Sequence, residues 1–396
     1  MRPTAAGGRP SSAASTGTTT SASTAAAERG ARRGEAMKST LLSNPLARVA
    51  LRTLGMAPVE REFHLGGDLS ELRRLLFVDS GRLCELVAYL PLLARLHART
   101  PGLELQVMVE ERAADLLRRE PMLAGLIVYR AEQLKAHSSS YYRLLREVQG
   151  RAFDGVVLIG EGADGPRDLV AYASQAGLRI GIYQEEREQL LNCMLRWQGR
   201  ERYRLEQASE LARLFGLGGE AAPWAFSLRP DELRAADQLI HFRKPIREQP
   251  LIAVDPAPGL GERRLASGNL AYLVGHLAEQ LRARVLLLHL EEDAAAAAAL
   301  RQALRAPALD MPPQGLRERL ALLARCDLCV AGNSELFHIA VALGVPALGA
   351  FTEADGAAWE PRGRASAAVL RGRPGEQMSL REIDAAVAGI LHVRAT

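Results

Sequence analysis

The stretch Ala331–Phe351, AGNSELFHIAVALGVPALGAF, has the pattern of a strand end, a polar turn, a short apolar helix and a second strand. Leu336, Ile339, Ala340 and Leu343 recur at helical spacing as a buried face, and Gly344 and Pro346 stop the helix. Asn333 or Ser334 is suited to cap its start. A helix opening directly out of a sheet presents free N–H groups and the positive end of its dipole to the space beyond, which favours an anion there. Capped core helices with a hydrogen-bonded histidine are common too, so two readings stand: an anion site, or a structural helix in which His338 is packed away.

The same alternation continues through the chain. From Leu75 onward, LLFVD, LELQVMV, LIVYR, FDGVVLIG and LRIGIY alternate with longer amphipathic segments. Apolar strands interleaved with helices predict βαβ units around a parallel sheet. After a helix-rich stretch, Glu185 to Lys244, the rhythm restarts at PLIAVDP and continues through ARVLLLHL, LALLARCDLCVAGN, the stretch above and AAVLRG. Ser379 and Glu382 form a capping box for a last helix. The expected organisation is a tail over 1–58, an α/β domain over 59–245 and a second over 246–396. Ligands of open parallel sheets bind beyond the carboxyl ends of the strands, so the predicted site lies between the halves.

Composition narrows the function classes. With 48% hydrophobic and 24% charged residues, the 396-residue chain can bury two sizeable cores. No apolar run approaches the length of a membrane span. The four cysteines are scattered, which fits a reducing, cytoplasmic setting; Cys326 and Cys329 form a lone C-x-x-C inside an apolar strand pattern, without the second pair a metal site would need. Residues 1–58 hold eight Arg or Lys against two Glu, so of the net +4 the tail carries +6 and the other 338 residues −2. That body is no nucleic-acid binder on electrostatic grounds. The first 36 residues are Ala/Ser/Thr/Gly-rich and predict disorder. NPLARVALRTLGM, 44–56, has the pattern of a short amphipathic helix, which either rests peripherally on an anionic membrane face or packs on its own domain.

At this point the chain resembles the family-9 glycosyltransferases, the lipopolysaccharide heptosyltransferase family. Asn333, Ser334, Glu335, His338, Ala340, Ala342, Leu343, Gly344 and Pro346 fall on that family's D-T/S-G-x-x-H-x-A-A-A-L-G-x-P frame. VDPAPGLGERRLASGNLAYLVGHL, 254–277, resembles its Pro-Gly loop, where Pro258 and Gly259 would let backbone approach a ligand and Arg263, with Arg264 beside it, would meet a diphosphate. Glu292 or Asp293, in HLEED, stands where the family binds the nucleotide ribose. Aligning on Pro91 places Cys84 and Glu85 on the family's Gly-Asp pair, which makes Glu85 the implied general base and Asp79, at the strand end, the fallback.

The resemblance implies a GT-B fold of two Rossmann-like domains and transfer of a sugar, ADP-heptose among the candidates, to a glycan or glycolipid from a nucleotide-diphosphate donor. The donor's diphosphate would meet Arg263, Asn333, Ser334 and the N–H groups of the following helix, with Glu335 and His338 also in the donor site. Neither metal nor cofactor is implied. The chain departs from the family at Asn333, an acid in the frame, at Glu335, a glycine, at Arg263, a lysine, and at Phe351, near a glycine. Those departures supply the alternative of a non-catalytic module with the same fold. A dinucleotide oxidoreductase is disfavoured because LFVDSGRLCE, not G-x-G-x-x-G, follows the first strand.

Overall fold

The computed structural model describes Gly55 and residues 72–396, except 136–137, 162–164, 198–201, 218–227, 244–245, 247, 258–266, 310, 354, 373–377 and 396. The expected tail and the segment 44–56 therefore lie outside the described residues, Gly55 apart.

The apolar runs become strands. In the N-terminal half β1 (Arg74–Val78) is followed by α1 (Leu83–Arg99), β2 (Glu104–Glu110), α2 (Glu111–Leu117), β3 (Gly125–Tyr129), α3 (Ser139–Gly150), β4 (Gly155–Leu158), α4 (Gly165–Ala173), β5 (Leu178–Ile182) and β6 (Cys193–Leu195). Two helices follow, α5 (Gln207–Leu214) and α6 (Pro230–Arg243). The C-terminal half then runs β7 (Leu251–Asp255), α7 (Ser267–Gln280), β8 (Arg284–Leu287), α8 (Ala294–Ala303), β9 (Ala308–Leu309), α9 (Leu316–Leu323), β10 (Leu328–Ala331), α10 (Glu335–Leu343), β11 (Ala347–Thr352), β12 (Ala367–Gly372) and α11 (Leu380–Ala395).

Both sheets have six strands, in the orders β3-β2-β1-β4-β5-β6 and β12-β11-β10-β7-β8-β9. Every pairing is parallel. Each sheet thus starts in its middle and is wound outward in both directions, so each has a switch point beside its first strand, where ligand crevices form. The central strands β4, β5, β7, β10 and β11 are buried at every position, as helices on both faces require. The sequence expectation is corrected twice. β6 lies within the stretch expected to be helical, and the two-residue β9 had no counterpart in the sequence pattern; both are edge strands.

The halves do not face each other across open space. One apolar core contains Leu75, Leu86 and Leu93 of the first half together with Leu320, Leu336 and Ile339 of the second. Arg317 on α9 adds a polar tie. It is ion-paired with Glu232 of α6 and donates to the Leu116 carbonyl of α2 at 2.7 Å. The hydrogen bond from Arg317 holds the Glu232 carboxyl down to about 2.

Candidate functional site

The two candidate bases differ in what their oxygens do. Asp79, at the carboxyl end of β1, is 3% exposed. One oxygen accepts from the Tyr129 hydroxyl and the other from the Glu110 N–H at 3.0 Å, while Arg167 stands 3.6 Å away. Burial raises its proton affinity, and these contacts oppose the rise. Asp79 is committed to holding β1, β2 and β3 in register.

Glu85, in the first turn of α1, is not the exposed helix-start residue that its position suggests: it is 2% exposed. Its carboxylate lies against Gly160, where a Cβ would come within 2.1 Å of Oε2. Gly160 has φ +76°, a conformation glycine adopts at no steric cost, and it is what makes room for the carboxylate. Arg204 Nε stands 3.0 Å from Glu85 Oε1 and Arg82 Nη1 3.9 Å away. The geometry nevertheless leaves both Glu85 oxygens, and Arg204 Nε, without a hydrogen-bond partner among the described residues. Of the two candidates, Glu85 alone keeps its acceptor capacity.

Next to this pair lies a polar chain that locks the stretch Ala331–Phe351 of the C-terminal half. Ser334 caps α10, accepting from the Phe337 N–H at 3.3 Å. Asn333 takes a different role. Its Nδ2 donates to Asp355 Oδ1 (2.9 Å), which aims its Oδ1 at His338 Nε2 (2.9 Å). Asp355 in turn accepts from the Thr352 amide and hydroxyl. The acceptor at Nε2 fixes the His338 proton there, so Nδ1 accepts from the Tyr203 hydroxyl at 2.8 Å. Completely buried, His338 has its pKa lowered to about 3 and remains neutral. Its ring is packed away and bonded to Tyr203 of the first half. Trp359 covers the cluster, 5.1 Å from the His338 ring, with the Arg82 and Arg204 guanidinium carbons 5.3 and 5.0 Å from its own ring.

Where the carboxyl ends of both sheets converge, a cavity of about 270 Å³ remains. Leu83, Leu86, Leu320, Leu336 and Ile339 give it apolar walls; Arg82 and Arg112 reach it from the first half, and Arg319, Glu292 and Glu335 from the second. Arg319, on α9, donates to Asp255 Oδ1 at 2.9 Å, yet Arg319 Nε and Asp255 Oδ2, both buried, have no partner among the described residues. Glu335 Oε1 accepts from the Leu83 N–H, across the cleft, at 3.0 Å. Burial raises the Glu335 pKa, and Arg112 and Arg319 oppose the rise. Of the two ribose candidates, exposed Glu292 lines the cavity. Asp293 is half-buried, with its pKa raised by burial and by nearby Asp255. Among the described residues no cluster of metal-ligating side chains occurs, and Cys326 and Cys329 are buried thiols.

Thus Glu85, Asp79, Asn333, Ser334, Glu335, His338 and Glu292 gather near the junction of the halves. Pro258, Gly259, Arg263 and Arg264 lie outside the described residues. Sequence reasoning missed Arg319, Arg112, Arg204, Tyr203 and Trp359. Arg319 and Arg112 lie on helices with ordinary surface-like charge patterns, so only Trp359, one of three tryptophans and two residues before Pro361, carried any local signal.

Comparison with known proteins supplies the context. A search of curated protein sequences finds no match. Among solved structures, the glycosyl transferase family 9 protein from Veillonella parvula DSM 2008 superposes with a TM-score of 0.67 at 14% identity, covering 81% of this chain and 97% of that one. E. coli ADP-heptose lps heptosyltransferase II gives 0.61 at 20% identity, covering 81% and 98%. E. coli heptosyltransferase WaaC with ADP gives 0.61 at 18%, covering 80% and 99%. At such identities the likeness concerns the fold, which is GT-B. The model of glycosyltransferase family 9 (heptosyltransferase) matches residues 142–385, more than half of the sequence. The chain belongs to glycosyltransferase family 9.

Proposed function

We propose that this protein transfers a sugar from a nucleotide-diphosphate donor to a hydroxyl of a glycan or glycolipid, and that Glu85 is its general base. The observation that carries this is the Glu85 carboxylate, buried at the position the family frame assigns to the base and holding two oxygens without hydrogen bonds. A buried carboxylate ion-paired to Arg204 yet short of donors is poised to receive a proton from an incoming hydroxyl. As the acceptor O–H proton passes to Glu85, the oxygen forms its bond to the anomeric carbon. The bond from that carbon to the diphosphate breaks, and the diphosphate leaves with the electron pair.

In this reading the donor's ribose meets Glu292 and its diphosphate meets Arg319 and Arg112. Arg263 and Arg264 join them as the family frame suggests. These arginines supply positive charge to meet the negative charge that develops on the leaving oxygen, so the reaction asks for no metal. A cavity of about 270 Å³ is at the small end for a whole ligand, where sites run from roughly 300 Å³ upward, so binding requires the halves to separate and close again. An ADP-linked heptose is a natural first donor to try, since two of the structural relatives carry that sugar nucleotide or its nucleotide in their names. The glycolipid acceptor would bring the protein to a membrane face from the cytoplasm; among the described residues no helix is long and apolar enough to cross a membrane.

The test is release of nucleotide diphosphate from a panel of nucleotide sugars with lipopolysaccharide-core acceptors, in wild type and Glu85→Gln. A fall of about 10²–10⁴ in turnover at unchanged donor affinity supports the assignment. Equal turnover contradicts it.

A second reading, a GT-B module that binds without catalysis, is favoured by one observation: Glu335 bonds across the cleft to Leu83. Such a module would be indifferent to Glu85→Gln in every assay of binding and assembly.

A further inference from the structure

Glu335 belongs to the C-terminal half, but its hydrogen-bond partner belongs to the N-terminal half. Leu83 is the first residue of α1, and the side chain of Arg82 before it makes no capping bond. The Glu335 carboxylate, 252 residues away in sequence, caps that helix at 3.0 Å instead. Glu335 is also the first residue of α10. One carboxylate therefore sits at the N-termini of two helices, each of which presents partial positive charge to it. Arg112 and Arg319 add full charges from either side. This is the electrostatic setting of a bound phosphate, with the anion supplied by the chain itself.

Resting on the donor reading above, we infer that Glu335 is a built-in anion that clasps the cleft shut, and that a donor diphosphate must displace it to enter. The acid in place of the family's glycine then has a function rather than marking a dead site. While Glu335 holds the two helix ends, the cavity lining carries six carboxylates, Glu335 among them, against three arginines, and repels a diphosphate. Once Glu335 swings out, the same N–H groups and guanidinium groups become available to the ligand.

Two variants and two readouts test this. Glu335→Gly removes the clasp; Glu335→Gln keeps its size and packing while removing its charge, and guards against a loss of fold in the first. Hydrogen exchange of the peptide containing residues 80–90, with no nucleotide present, reports on the clasp itself. The expected result is exchange at least tenfold faster in Glu335→Gly, with a smaller increase in Glu335→Gln. Titration with ADP, UDP and GDP reports on competition: whichever diphosphate binds wild type should bind Glu335→Gly at least tenfold more tightly. Unchanged exchange in both variants overturns the clasp. Faster exchange with equal or weaker diphosphate affinity overturns the competition and makes Glu335 a donor-binding residue. Faster exchange with no diphosphate bound by any of the three proteins overturns the donor reading and leaves Glu335 as a clasp of a cleft with another purpose.

Discussion

Each half of the molecule buries an arginine against an aspartate, and the two pairs are built differently. In the N-terminal half Arg187 grips Asp168 with two hydrogen bonds, Nε to Oδ2 at 3.0 Å and Nη2 to Oδ1 at 2.9 Å, and spends Nη1 on the Gly160 carbonyl at 3.0 Å. In the C-terminal half Arg319 meets Asp255 through a single bond of 2.9 Å, and Arg319 Nε and Asp255 Oδ2 are left without partners among the described residues. Burying a charge pair is tolerable when its geometry is complete, and costly when atoms are left over. The first pair is complete in itself and serves the fold. The second borders the cavity and is short of partners where a ligand would arrive. The same contrast separates Asp79, fully engaged, from Glu85, whose oxygens accept no hydrogen bond among the described residues although Arg204 stands 3.0 Å from one of them. The proposed function places the chemistry where hydrogen bonds are missing.

Breaking the complete pair should have the largest effect. Asp168→Asn leaves Arg187 buried without its counter-charge and should destabilise the protein by about 3–5 kcal/mol in equilibrium denaturation. A change below about 1 kcal/mol would remove the structural half of the comparison.

Gly160→Ala comes next, because the new methyl would clash with Glu85 and φ is +76°. A loss of about 1–3 kcal/mol is expected from strain and displacement, with turnover falling further than stability does. Equal losses in both would show that Glu85 is held there for packing only.

His338 gives a pH-dependent prediction. Its folded pKa of about 3 lies below the ordinary value of 6.5, so the unfolded chain binds the proton first. The stability it contributes is present in full above about pH 6.5 and is lost as pH falls toward 3. Between pH 7 and pH 5 wild type should therefore lose about 2 kcal/mol more than His338→Gln, by proton linkage. Parallel curves for the two proteins would mean that the Tyr203–His338–Asn333 chain opens to solvent.

Arg319→Lys sharpens the other side. It keeps a positive charge beside Asp255 but removes the fork and its spare Nε–H, so stability should change by less than about 1.5 kcal/mol while affinity for the diphosphate falls roughly tenfold.

Much of this architecture was legible in the sequence, and the parts that were not share a cause. Buried strands such as β7 and β11 announce themselves as unbroken apolar runs. β6 does not, because Cys193-Met194-Leu195 is a half-buried edge of three residues with no period to detect. The cap by Ser334 and the stop at Gly344, with φ +71°, are local chemistry and were readable. The role of Asn333 was not, since it depends on Asp355 and on a histidine whose other partner, Tyr203, is 135 residues away. Alignment on Pro91 pointed to Glu85, but its surroundings, Gly160 and Arg204, come from two separate segments. Arg319 carried no signal because its meaning lies in what it leaves unpaired.

The most direct test is calorimetric titration of ADP, UDP and GDP into wild type and Arg319→Lys. The account predicts that one diphosphate binds wild type and binds the variant about tenfold more weakly, which would make the unsatisfied pair a donor contact. Equal affinity in the two proteins, or no binding to wild type, Arg319→Lys or Glu335→Gly, would contradict it and leave the cleft as a sealed junction between two halves.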